Sequence, residues 1–170
     1  ASSKAVNSGS WAADGSDHLV MTIADRGKSR LSQGTWSADL QVGDIVLRDL
    51  SRPWESFTET GMGLILIKIP YTMVARHHAD PERLVGRHLP SSDARVAFAS
   101  TVIRASREAL QSSPDANWHD HLSDVLAGVF RLICYDDFGM DVVNDGQQGQ
   151  RRFAHGVHQV ALVVGEVGAL

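Results

Sequence analysis

Residues 41–55 read QVGDIVLRDLSRPWE, and the fold turns on how this stretch divides. Val42-Gly43-Asp44 has turn chemistry: glycine reaches positive φ without a Cβ clash, and aspartate bonds neighbouring backbone. Ile45-Val46-Leu47 is a short apolar run with the composition of a strand. Arg48, Asp49 and Arg52 then crowd around Pro53 and Trp54. Proline cannot donate to a ladder, so Pro53 separates this strand from the next. Turn, strand and second turn in such quick succession mark an antiparallel β domain.

The same texture extends on both sides. HLVMTIA, from His18, is an apolar run, and DRGK turns the chain at Gly27. SRLSQ follows, then a turn at Gly34. TWSADLQV alternates, with Trp36, Ala38 and Leu40 on one face and Ser37, Asp39 and Gln41 on the other. WESFTET and LILIKIP read as two further strands. No helix of useful length fits between these strands, which excludes parallel βαβ units.

After Pro70 the period becomes helical. Residues 70–86 read as one or two short helical turns broken at Asp80-Pro81. SSDARVAFASTVIRASREALQSSP is a long helix capped by Ser91 or Ser92, with Val96, Ala99, Ile103 and Leu110 on one face and Pro114 as its stop. A second helix follows, capped by Asp115 and ended near Gly139, with Trp118, Leu122, Val125, Val129 and Leu132 on one stripe. The short connection predicts an antiparallel pair. The second helix is apolar on more than one side, as suits burial on two sides, and Val125, Val129 and Leu132 are the expected contacts of a symmetric dimer.

The expected architecture is thus α+β: a small antiparallel β-barrel or sandwich followed by an antiparallel helical pair. Residues 1–17 read as a loop or weak edge strand, 18–70 as the β region, 71–139 as the helical region, and 140–170 as a linker and tail. Within the tail, 141–152 is polar and Gly/Gln-rich, and the apolar end has no decisive period.

Composition narrows the function. The chain has 170 residues, 43% hydrophobic and 21% charged, which is ordinary for a soluble globular domain. A net charge of −4 is unlike a basic nucleic-acid surface. A single cysteine, Cys134, forms no internal disulfide and reads as a small buried hydrophobe. No apolar run is long enough to span a membrane, so a cytoplasmic location is the expectation.

Catalytic signatures are missing. There is no Gly-x-Ser-x-Gly elbow, and GMG at 61–63 opens no helix, so phosphate-loop and dinucleotide motifs are absent. Eight histidines invite a metal, but the one His-x-His, His119-Asp120-His121, falls in a predicted helix, where i and i+2 point apart. No catalytic residue, metal or cofactor is therefore assigned. Trp36, Arg48 and Trp54, on or beside consecutive strands, are the candidate ligand-binding residues, because Trp and Arg hold organic anions or sugars by stacking and bidentate hydrogen bonds. The competing reading makes Trp36 core and Arg48 solvated: alternation sets Arg48 opposite Ile45 and Leu47, so a core on that side leaves Arg48 outside.

Taken in order, Gln33-Gly34, VGDIVLRD at 42–49, SRP at 51–53, IPY at 69–71 and ERLVGRHLPSSD at 82–93 resemble the cupin-like sensor domain of AraC-type transcriptional regulators. The resemblance covers about residues 17–138 and would set the first residues part-way into that domain. It implies a barrel that holds a small-molecule effector, a helical pair that forms a homodimer, and DNA contact only through a separate domain with two helix-turn-helix motifs. Residues 151–170 match no such motif. It carries over no individual binding residue. The alternatives are a small metal-dependent cupin-type enzyme and a ligand-free dimerisation module.

Overall fold

The computed structural model describes residues 2–7, 18–59, 61–76, 78, 80–112, 116–134 and 161–165. The readings above for 8–17, the 141–152 linker, the Pro114 stop, the Asp115 cap and the Gly139 stop lie outside them.

Among the described residues, nine strands form two antiparallel sheets. Strands β1 (Ser2–Asn7), β6 (Trp54–Glu59), β3 (Ser29–Gln33) and β4 (Trp36–Leu40) make a four-stranded sheet in the order β1-β6-β3-β4. The five-stranded sheet runs β8 (His88–Leu89), β5 (Ile45–Asp49), β2 (His18–Arg26), β7 (Gly63–Pro70), β9 (Ala161–Gly165). The arrangement is a sandwich, not a closed barrel. The helices are α1 (Tyr71–Val74), a 3-10 turn at Pro81–Leu84, and the 19-residue helices α2 (Ala94–Ser112) and α3 (Ala116–Cys134).

The hairpin β3–β4 shows how local chemistry sets register. Gln33 pairs with Trp36, so Gly34 and Thr35 form a two-residue loop, and Gly34 takes φ +60°. A two-residue turn whose twist matches the strands needs positive φ at its first residue, which glycine supplies freely. Register then follows, and Leu31 and Ala38 share the buried face.

Three layers result. Between the sheets, Ala24 and Val46 meet Leu31, Ala38 and Leu40, with Trp36 and Trp54 packed alongside. On the other face of the five-stranded sheet, Leu19, Met21, Ile23, Ile45, Leu47, Ile65, Ile67 and Ile69 meet α2 and α3. Full burial of each such aliphatic side chain is worth about 1.5–3 kcal/mol. Strand β5 is therefore buried on both faces, residue after residue. This is why alternation misplaced Arg48: helices cover one side of the strand and the second sheet covers the other, so neither face is solvent.

The helices differ from expectation in two details. Asp93, not Ser91 or Ser92, caps α2: its Oδ1 accepts from the Arg95 N–H at 2.8 Å. The Ser91 N–H instead donates to Asp44 Oδ1 at 2.8 Å, so that serine is committed to the β-turn. On α3 the inward residues are Leu122, Leu126, Val129, Phe130, Ile133 and Cys134, while Val125 and Leu132 are exposed. Val129 thus belongs to the core of one chain and not to its surface. On α2, Val96, Ala99 and Ile103 face the core as expected. That helix is also tied to β2 by ion pairs from Arg104 (3.0 Å) and Arg107 (2.6 Å) to Asp25.

Candidate ligand site between the sheets

The charged corner in 41–55 separates into two functions. Asp49 is structural: its Oδ1 accepts from the backbone N–H of Ser51 at 2.8 Å and from the Ser51 hydroxyl at 2.6 Å. Its Oδ2 pairs with Arg52 Nε at 3.0 Å. Gln33 brackets the same backbone, donating to the Asp49 carbonyl at 2.6 Å and accepting from the Asp49 N–H at 3.0 Å. This lattice ends β5 and docks the β3–β4 hairpin on it. Arg52 lies on the surface, where it also reaches Glu82 at 3.5 Å.

Arg48 is different. It faces the four-stranded sheet and is 1% exposed. Its Nε and Nη2 both donate to the hydroxyl of Thr22, at 3.0 and 2.9 Å. Its Cζ sits 4.2 Å from the ring centre of Trp54, at the start of β6. The stack is a cation–π contact and fixes the guanidinium plane. Nη1 is buried and meets no acceptor among the described residues. Burial pushes the guanidinium down to about 10, because no opposite charge offsets the lost hydration.

Trp36 lies in the same layer, half-buried. Its Nε1 also has no acceptor among the described residues, and neither hydroxyl of Ser29 and Ser56 has a partner there. Each such buried group costs about 1–3 kcal/mol when left unbonded. Gly86 closes on the Trp36 ring: an added Cβ would lie 2.4 Å from Cδ1. Gly86 has φ +82°, and its N–H donates to the Leu47 carbonyl at 2.8 Å. The loop after the 3-10 turn is thereby held against both β5 and the indole.

Structure thus brings Trp54 directly onto Arg48 and sets Trp36 in the same interior layer. Thr22, Gln33, Ser56 and Gly86 were not foreseen. Thr22 had a signal, being the lone polar residue inside the apolar run LVMTIA. The others are joined by pairing across strands distant in sequence.

Among the described residues no three His, Cys, Asp or Glu lie close enough to hold a metal ion. His88 pairs with Asp44 at 2.9 Å. His77, His155 and His158, and the side chain of His119, lie outside the described residues. Among those residues, no helix is long and apolar enough to cross a membrane.

No family model matches the chain, and no curated protein matches its sequence. Its fold is similar to the crystal structure of the AraC-like transcriptional activator CuxR, with a TM-score of 0.63 over 93% of this chain at 12% identity. This chain spans 52% of that one, about half its length. At such low identity the likeness is one of fold.

Proposed function

We propose that this chain is the ligand-sensing and dimerisation part of an AraC-type transcriptional regulator. The observation that carries the reading is Arg48, a charge held between two sheets against a desolvation cost, with a donor that no described protein group accepts. Uncompensated buried charge is costly to stability and is concentrated where molecules bind. The fold shared with an AraC-like transcriptional activator supports placing that site in a regulator and not an enzyme. Trp36, Arg48 and Trp54 contact the effector. Effector binding favours one arrangement of the dimer, and a separate domain makes the DNA contact. A cytoplasmic location belongs to the same reading.

The dimer surface lies on the outer side of the helical pair. Val125 and Leu132 are 45% and 40% exposed, seven residues apart on one stripe of α3. Gly128 lies between them, and a Cβ there would meet nothing within 4 Å. An open glycine flanked by exposed aliphatics allows close helix approach.

A thermal-shift screen of organic acids, amides and sugars tests sensing, and the expected result is stabilisation by one class that vanishes in Trp36→Ala and Arg48→Met. Sedimentation over a concentration range tests the dimer; Val125→Glu with Leu132→Glu should give monomer, and a strictly monomeric parent removes that half of the proposal. A full equivalent of iron, zinc or manganese in the purified protein would replace the sensor with a metal-dependent cupin-type enzyme.

A further inference from the structure

We infer that the effector is a small monocarboxylate with an apolar body, bound through its carboxylate to Arg48. The inference rests on the sensing role proposed above and adds the chemical class. Three observations lead to it.

The first is the charge pattern on the inner face of the five-stranded sheet. Val20 on β2 pairs with Arg48 on β5 and with Lys68 on β7. Residues directly opposite in antiparallel strands project to the same face, so Arg48, Val20 and Lys68 form one row. The two cations stand two strand spacings apart, roughly 10 Å. Four described carboxylates are engaged elsewhere: Asp25 with Arg104 and Arg107, Asp39 with Arg30, Asp44 with His88, and Asp49 with Arg52. Among the described residues none pairs with Arg48, whose hydrogen bonds end on one neutral hydroxyl. The interior face at Arg48 thus carries a positive charge that no described carboxylate pairs with.

The second is the geometry of the guanidinium. Trp54 and Thr22 hold the Nε–Nη2 edge and the ring face, leaving Nη1 as the donor to offer. A carboxylate can accept from Nη1 in a charge-assisted bond, about twice as strong as a neutral one. A neutral amide or sugar oxygen can also accept, but leaves the charge uncompensated.

The third is what surrounds the charge. The layer beside Arg48 is Ala24, Leu31, Ala38, Leu40 and Val46, with the two indoles. Such a wall suits hydrocarbon and gives a polyhydroxylated molecule few partners. The Trp36 Nε1–H and the hydroxyls of Ser29 and Ser56 are further polar atoms without a partner among the described residues, free to bond the ligand.

Matched acid and amide pairs at constant ionic strength separate the class from the role. Butyrate, hexanoate and benzoate are compared with butyramide, hexanamide and benzamide, and with glucose and arabinose, by thermal shift and calorimetry. At least one acid should raise the melting temperature by several degrees while its amide does not. In Arg48→Met, shown to be folded by circular dichroism, affinity for that acid should fall roughly tenfold to a hundredfold. An amide or sugar that binds as well as the acids, and is lost in Trp36→Ala, overturns the anionic class and leaves sensing intact. Acid binding that persists undiminished in Arg48→Met also overturns it. Silence of the parent protein toward every compound removes the sensing role and the class together.

Discussion

Replacing Arg48 by methionine asks whether this residue serves binding or stability. The guanidinium is 1% exposed, and burial brings it from the ordinary arginine range down to about 10. At 1.36 kcal/mol per pH unit, a difference of roughly 2.5 corresponds to a cost of about 3 kcal/mol for keeping the charge inside. Stacking on Trp54 offsets about 1–2 kcal/mol, and the Thr22 hydroxyl roughly 1 more. Methionine fills much of the same volume without a charge. The unfolding free energy of Arg48→Met should therefore lie within about 1 kcal/mol of the parent, or ~4 °C in Tm for a chain of this size. An ordinary large-to-small change at a buried site costs about 2–5 kcal/mol. Urea unfolding followed by circular dichroism at pH 7 makes the measurement. A loss above ~3 kcal/mol would refute the reasoning, because the charge would then be compensated within the protein. Alkaline titration gives a second readout. A cation whose folded value is depressed destabilises at full strength below about pH 10, and the penalty fades as pH rises from there toward the ordinary arginine range. The parent should gain on the variant only in that window.

Gly86→Ala should cost about 2–4 kcal/mol, since it combines a positive-φ penalty with a Cβ driven into Trp36; a variant as stable as the parent, with unchanged indole fluorescence, would contradict the packing. The Arg95 guanidinium and N–H hold the Asp93 carboxyl down at about 2, below the ordinary 3.8. Its contribution is complete above the unfolded value and is lost as pH falls from about 4 to about 2, so the stability gap between parent and Asp93→Asn should be constant near neutrality and close in that acid range. Burial pushes the Cys134 thiol up to about 12, leaving it protonated and enclosed near neutrality. Disulfide-exchange reagents at pH 8 should label it only at the rate of unfolding, and rapid labelling of native protein would show that the α3 end opens.

The strands from His18 to Pro70 were legible because turn chemistry is local. Gly27, Gly34, Gly43 and Pro53 mark the corners, and the side chains between them fit a pleated surface. The helical pair was legible for the same reason, through a 3.6-residue period that Val96, Ala99 and Ile103 keep. The rotation of α3 was not. That helix has apolar residues on several sides, and period alone cannot say whether Val125 and Leu132 or Leu126 and Phe130 face the sheet. The capping residue of α2 was decided by a tertiary claim on Ser91 from Asp44.

Residues 41–55 contain the whole contrast. Their sequence determined a turn at Gly43, a strand at Ile45–Asp49 and a break at Pro53, since each depends on backbone preferences of a few adjacent residues. The side of the strand that meets water depends on what packs over it. Only the tertiary structure could put helices on one face and a second sheet on the other, and so turn Arg48 from a solvated strand residue into a buried cation stacked on Trp54.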